Sequence, residues 1–170
     1  MGMNKKYLPA LVSGFGAAVL TTIPGVDSVA CCLLVPFASG ASIYLYKKSQ
    51  TGLLKIETKT GIFLGFLTAV FAAIFASSFE LIITYLTNSS DLVVSLPQAE
   101  QLVRDMNLGQ DAEESLKIMR QMVLDIQTKG FSLLYSVLIT LLNLITYSIF
   151  GIVGGMVATA IINKRNINSV

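Results

Sequence analysis

The chain has 170 residues, of which 54% are hydrophobic and 13% are charged, and its mean hydropathy is +0.71. Soluble domains carry about 25% charged residues, so this composition indicates a single membrane domain over residues 1–170. The sequence contains no histidine, which excludes histidine-ligated haem or metal and a Ser-His-Asp triad. We therefore expect no enzyme activity, no metal site and no cofactor.

Uncharged stretches predict four transmembrane helices, at residues 8–26, 29–46, 60–86 and about 135–163. The charge-free run 61–79 would rise about 28 Å as a helix, close to the ~30 Å hydrocarbon core of a bilayer. Pro36 predicts a kink in the second helix, and Asp27 or Ser28 is expected to cap it. The fourth helix belongs to an uncharged run, 130–163, that is too long for a bilayer. Its first residues are expected to protrude from the membrane.

The polar segment 87–129 predicts two amphipathic helices, at 96–108 and 111–129, that form a hairpin. Ser95 and Asp111 are the predicted caps, because Gln98 and Glu114 follow them at capping-box spacing. Acid–base pairs four residues apart support helix here, namely Glu100–Arg104, Glu113–Lys117 and Asp125–Lys129. The second helix has an apolar side that includes Met119 and Met122. This side must cover the end of the bundle, the lipid surface or a partner protein.

Small residues recur at every fourth position in the third and fourth predicted spans. These helix-packing positions are Gly61, Gly65, Ala69, Ala73, Gly151 and Gly155. Small side chains at this spacing let two helices approach closely. In the first span, Gly14 belongs to a similar face that is expected to meet the third span. These faces, or the methionines of the outer helix, predict a protein partner or a homo-oligomer.

Three polar side chains in the spans are candidate functional residues: Glu80, Asn143 and Tyr147. Glu80 is the one ionisable residue inside a predicted span, and such a residue is costly in lipid unless it has a role or a partner. It lies near the outer interface, where donors such as Tyr135 or Tyr147 can reach it. Two interpretations of Glu80 are therefore possible, a proton or cation site and a hydrogen-bonded carboxylate at the membrane interface. Asn143 and Tyr147 fit either helix packing or a substrate path.

Charge is sorted along the chain in a way that predicts orientation. Eight of the 12 basic residues lie in the tails and the short link of one face, namely Lys5, Lys6, Lys47, Lys48, Lys55, Lys59, Lys164 and Arg165. Glu57 is the one acidic residue among them. Cytoplasmic loops are enriched in lysine and arginine, so both termini are expected in the cytoplasm and residues 87–129 outside it. The basic residues are too dispersed for a nucleic-acid site and are expected to meet lipid headgroups.

Several stretches together resemble a known group of proteins. They are ASGASIYLYKK (38–48), KTGIFLGFLTAVFAAIF (59–75), the acidic outer helix and a last span that ends in INKR (162–165). This pattern resembles uncharacterised four-span bacterial membrane proteins, and the resemblance implies four inner-membrane spans with both ends inside. It implies no catalytic residues.

The sequence therefore predicts an all-α, four-helix membrane bundle with an extracytoplasmic amphipathic hairpin between its third and fourth spans. The expected function is that of a non-enzymatic accessory or interaction subunit, or of a homo-oligomer. The alternative is a small oligomeric transporter or channel that uses Glu80 and the polar face of the last span.

Overall fold

The computed structural model describes residues 4–23, 30–50, 55–106 and 109–167, with the backbone alone at 4–6, 30, 31 and 165–167. These residues form helices and no β-strand, so the predicted all-α class is confirmed. The α-helices are α1 (Asn4–Thr21), α2 (Val35–Ser49), α3 (Thr58–Thr87), α4 (Asp91–Met106), α5 (Gln110–Lys129) and α6 (Leu133–Ile167). A π-helical turn, Ala30–Leu34, directly precedes α2.

Among the described helices, two are long and apolar enough to cross a membrane. They are Thr58–Thr87, which is all of α3, and Leu133–Lys164 within α6. The four predicted crossings are therefore not all shown. The other two candidates fall short for reasons of length, since α1 has a shorter apolar stretch, Tyr7–Thr21, and α2 has 15 residues.

Helix α1 ends at Thr21, earlier than the predicted boundary at residue 26. The N–H groups of Thr22 and Ile23 bond to carbonyls three residues back, those of Val19 and Leu20, at 3.2 and 3.3 Å. Bonds of this kind tighten a last turn and satisfy carbonyls that the helix leaves unpaired. The predicted turn at 24–28, with its caps Asp27 and Ser28, lies outside the described residues.

The second predicted helix, 29–46, is divided at its proline. Pro36 occupies the second position of α2, and the five residues before Val35 are π-helical. A proline has no N–H to donate to the carbonyl four residues earlier, and the change of helix type accommodates the missing bond. Helix α2 then continues to Ser49, whose hydroxyl donates to the carbonyl of Tyr46 at 2.7 Å.

The chain divides into two compact units. The first comprises Met1–Ser77 with Thr140–Val170, and the second comprises Ser78–Ile139. In the first unit, a buried cluster joins α1, α2, α3 and the link before α3. It consists of Ala10, Ile43, Tyr46, Ile56 and Leu64. These contacts order the helices of this unit around α3, whose buried small side chains leave space for close neighbours.

An asparagine at the end of the last apolar run fastens the link before α3. The Asn163 side chain accepts from the N–H of Ile56 at 3.0 Å and donates to the carbonyl of Ile56 at 2.8 Å. Both bonds join segments that lie 107 residues apart in sequence. They satisfy the backbone of a residue that is buried but non-helical, which would be costly to leave unpaired.

The second unit shows what the methionine-bearing side of α5 covers. Met122, Ile126 and Tyr135 form its buried centre, and partly buried apolar residues pack around them, namely Leu81, Leu92, Val93, Met119 and Ile139. The apolar side of α5 therefore packs on the end of α3, on α4 and on the start of α6. The amphipathic pattern identified the side correctly but left its partner open among three choices.

Both predicted caps in the polar segment are wrong. Helix α4 begins at Asp91, where the Ser90 hydroxyl accepts from the N–H of Val93 at 3.4 Å, as an N-cap side chain does. Ser95 lies inside α4 and donates to the carbonyl of Leu92 at 3.4 Å. Helix α5 begins at Gln110 after Gly109, and its start has no side-chain cap, so Asp111 is not the cap. The predicted end of the first helix, residue 108, lies outside the described residues.

Ion pairs join the two amphipathic helices as well as successive turns within them. Two of the predicted pairs are present, Glu100–Arg104 at 3.9 Å and Asp125–Lys129 at 2.7 Å. Glu113 and Lys117, both described, form no such pair. Instead, Arg120 of α5 reaches Glu100 of α4 at 2.6 Å. This pair is exposed, and exposed pairs contribute about 0–1 kcal/mol, so the apolar cluster contributes more to the unit.

Candidate functional site

The predicted helix-packing residues of α3 and α6 lie against each other. A Cβ atom added at Gly65 would lie 2.9 Å from the Cα of Gly155, and one added at Gly151 would lie 2.6 Å from the carbonyl oxygen of Gly65. Real Cβ atoms do not approach other atoms so closely, so no larger residue fits either position. The two backbones touch here, as small residues permit in membrane helices.

The same face continues in both directions along the crossing. A Cβ atom added at Gly155 would lie 2.5 Å from the carbonyl oxygen of Gly61, and one added at Gly61 would collide with Thr159. The Thr159 hydroxyl donates to the carbonyl of Gly155 at 2.7 Å and is thereby satisfied inside the helix. Ala69 and Ala73 are both buried on α3. All six predicted packing positions therefore lie inside the chain, and none of them offers an open surface.

Glycines also bring α1 against α3 and α6 against α2. A Cβ atom added at Gly14 would lie 2.7 Å from the carbonyl oxygen of Thr68, and one added at Gly154 would lie 2.5 Å from the Cα of Pro36. The approach of Gly14 to α3 was expected from the sequence, whereas the contact between Gly154 and Pro36 was missed. In the sequence, Pro36 predicts only a local kink, and the residues around it do not indicate that a second helix packs on it.

Glu80 takes part in a short hydrogen bond of the second unit. The hydroxyl of Tyr135 on α6 donates to Glu80 Oε1 on α3 at 2.6 Å. Tyr135 is buried beside Met122 and Ile126, and its N–H donates to the hydroxyl of Ser132 at 3.5 Å, which fixes the first turn of α6. Glu80 is partly buried, and this bond gives its carboxyl group a specific partner there.

Asn143 lies at the α3–α6 interface of the first unit, and Tyr147 is buried in the same unit. The Asn143 amide donates to the hydroxyl of Ser77 at 3.1 Å. Ser77 and Tyr147 are both buried, at 2% and 5% exposure. Asn143 and Ser77 satisfy each other across the two helices, as polar groups must where water is excluded.

Glu80 and Asn143 each take part in a hydrogen bond that joins α3 to α6. Within the part of the chain that the structure describes, no group of three or more His, Cys, Asp or Glu side chains could hold a metal ion. What the polar residues do is join α3 to α6, through Glu80 and Tyr135 in one unit and through Ser77 and Asn143 in the other. Asn163 has a comparable joining role that sequence reasoning missed, because an amide at the end of a span does not reveal a partner 107 residues away.

Comparison with known proteins adds no assignment to this geometry. No protein-family model, curated protein or solved structure matches the chain. The resemblance to four-span bacterial membrane proteins therefore stays a prediction.

Proposed function

We propose that this chain is a four-span protein of the bacterial inner membrane and acts there as a non-enzymatic interaction subunit. In this proposal α3 and α6 cross the bilayer directly. Helix α1 crosses as a short span, and the π-helical turn crosses together with α2 as the 20 residues 30–49. Large apolar side chains exposed on α1, α2 and α6 support a lipid-facing surface, for example Leu8, Phe37 and Leu141. Such a surface would be unusual on a soluble monomer.

The proposed orientation places both termini in the cytoplasm. The lysines at the end of α2, in the link before α3 and at the end of α6 support it, because cytoplasmic segments are enriched in basic residues. The segment 87–129 is acidic by comparison and has the long amphipathic helices that are expected outside the membrane.

One observation carries the proposal of an interaction subunit, namely an exposed apolar stripe on α4. Val94, Leu102 and Met106 are 68%, 56% and 60% exposed, and their spacing of eight and four residues places them on one side of the helix. Leu92 and Val93 supply the inward contacts of α4, so the stripe is additional apolar surface. Exposed apolar residues that share one side of a polar helix favour a docking surface.

The charge around the stripe specifies the chemistry of its partner. Residues 78–139 contain eight acidic and four basic residues. A partner with an apolar centre and a basic rim complements this surface, whereas a second copy of the chain would bring like charges together. We therefore assign the stripe to a different protein with a basic extracytoplasmic surface. Met122 is buried within the chain, so the proposal does not place the partner on the methionine side of α5.

Photo-crosslinking in native membranes tests this surface. A crosslinking amino acid at Leu102 or Met106 is expected to capture one distinct protein, and mass spectrometry should locate the adduct beside lysine or arginine residues of that protein. The matched control is Arg104, which is 76% exposed and lies on another side of α4. The double change Leu102→Glu and Met106→Glu should abolish co-purification of the captured protein. Homodimeric adducts, lipid adducts alone, or equal capture at Arg104 would contradict the assignment.

The second candidate function is transport of a proton or small cation through an oligomer. The observation that favours it is the carboxyl group of Glu80, which lies on a membrane-crossing helix in a 2.6 Å hydrogen bond to Tyr135. Ionisable residues at such positions are frequent in proton and ion pathways. The two roles differ in what a change of Glu80 should alter, since transport depends on its charge and helix joining depends on its hydrogen bond.

A further inference from the structure

An open groove runs between α2 and α6 in the first unit. Its volume is about 760 Å³, and its lining is apolar on both sides, with Phe37, Gly40 and Tyr44 from α2 and Val153, Val157 and Ile161 from α6. A Cβ atom added at Gly40 would lie 3.5 Å from Ala158, which is ordinary contact, so the two helices meet at the floor of the groove. Phe37 and Tyr44 are exposed and form part of one wall.

The length of the groove corresponds to one leaflet of a bilayer. It extends from Cys32 to Tyr44 on one side and from Phe150 to Ile162 on the other, which is about 18 Å at the rise of a helix. Half of a bilayer's hydrocarbon core is about 15 Å. A partner helix that crossed the membrane would need a contact surface about twice as long, so the dimensions favour an acyl chain.

One end of the groove is basic. Lys48 follows Tyr44 by one turn of α2, and Lys164 follows Ile162 at the end of α6, and both lysines are exposed. The link before α3 adds Lys55, and the first turn of α3 adds Lys59, while Glu57 is the one acidic residue between them. The Asn163 amide holds that link at Ile56, which brings the link to the same end. Anionic headgroups are attracted to such clusters.

We propose that this groove binds an acyl chain of an anionic phospholipid, with the lipid phosphate at Lys48 and Lys164. The inference rests on the proposed membrane location, and it deepens the proposed function by naming a lipid as one of the partners. In the proposed orientation the bound lipid belongs to the cytoplasmic leaflet. The apolar groove selects an acyl chain, and the lysines select the charge of the headgroup.

Native mass spectrometry of the full chain, released from mild detergent, tests the site with phosphatidylglycerol and phosphatidylcholine as probes. We expect phosphatidylglycerol adducts to be favoured. Lys48→Gln and Lys164→Gln should each weaken that binding about fivefold, because one lysine near an anionic headgroup contributes on that scale. Lys117→Gln, at an exposed position of α5, is the control and should have no effect.

A second pair of variants tests the groove itself. Val157 and Val12 are both 53% exposed on apolar helices, but only Val157 lines the groove. Val157→Trp should remove most phosphatidylglycerol adducts, whereas Val12→Trp should leave them. Equal binding of both lipids, equal effects of both tryptophans, or a dimer that Val157→Trp disrupts would overturn the lipid assignment. Binding in detergent does not depend on orientation, so a lipid site found in a chain of reversed topology would refute the orientation alone.

Discussion

Replacing Gly65 by leucine is expected to separate α3 from α6 and to unfold the first unit. The leucine Cβ would lie 2.9 Å from the Cα of Gly155, and the backbone of α6 cannot rotate away as a side chain can. Added atoms in a packed interior cost about 1–3 kcal/mol when side chains can adjust. Because backbone must move here, we expect a loss of about 3 kcal/mol or more, measured as unfolding in mild detergent under added dodecyl sulfate.

The matched control is Gly16→Leu on α1. A Cβ atom at Gly16 would meet nothing within 4 Å, so leucine there should leave stability unchanged or slightly raise it through better helix propensity. If leucine at position 65 cost no more than leucine at position 16, the glycine crossing would not hold the two long helices together.

Removing one hydroxyl group from Tyr135 is expected to weaken the second unit measurably. Tyr135→Phe preserves the buried ring and removes the 2.6 Å hydrogen bond to Glu80. A hydrogen bond between two helices contributes about 0.6–2 kcal/mol, and we expect a loss of that size. Tyr85→Phe is the control, because Tyr85 lies in the same unit, on the helix that carries Glu80, and is 63% exposed. Equal stability of the Tyr135 and Tyr85 variants would show that the bond is not stabilising.

The same bond separates the two candidate functions. Glu80→Gln keeps a carbonyl acceptor for the Tyr135 hydroxyl, so a helix-joining role predicts little change in stability and no change in partner binding. A transport role predicts that this variant abolishes proton or cation flux in liposomes while Tyr135→Phe retains part of it. Flux that is absent from the unaltered protein, or unaffected by Glu80→Gln, would argue against transport through Glu80.

Helix content and small-residue faces were accessible to sequence reasoning because they depend on local periodicity. The apolar side of α5 was identified in the same way, through Leu116, Met122 and Ile126. The sequence pattern could not show which surface packs against each of these faces. A small or apolar face shows that something packs on it, and lipid, a partner and the chain itself all satisfy that requirement equally.

Helix ends and long-range polar contacts were the hardest features to predict. Three polar residues, Asn88, Ser89 and Ser90, precede α4, but the spacing of Ser95 and Gln98 matches a capping box and favours a later helix start. Proline is common in the first turn of a helix, yet Pro97 lies inside α4. Asn163 could not be matched with Ile56, because an amide that bonds to a backbone leaves no signature in its partner's side chain.

We propose that the chain crosses the membrane four times, with its basic ends and its acidic hairpin on opposite sides. Ser49 and Ser115 are both exposed serines, one at the end of α2 and one in α5. In a chain with Cys31 and Cys32 replaced by serine, Ser115→Cys and Ser49→Cys can each be labelled with a membrane-impermeant maleimide in spheroplasts. We expect labelling at position 115 in intact spheroplasts and at position 49 only after permeabilisation. Labelling of both positions without permeabilisation would contradict it.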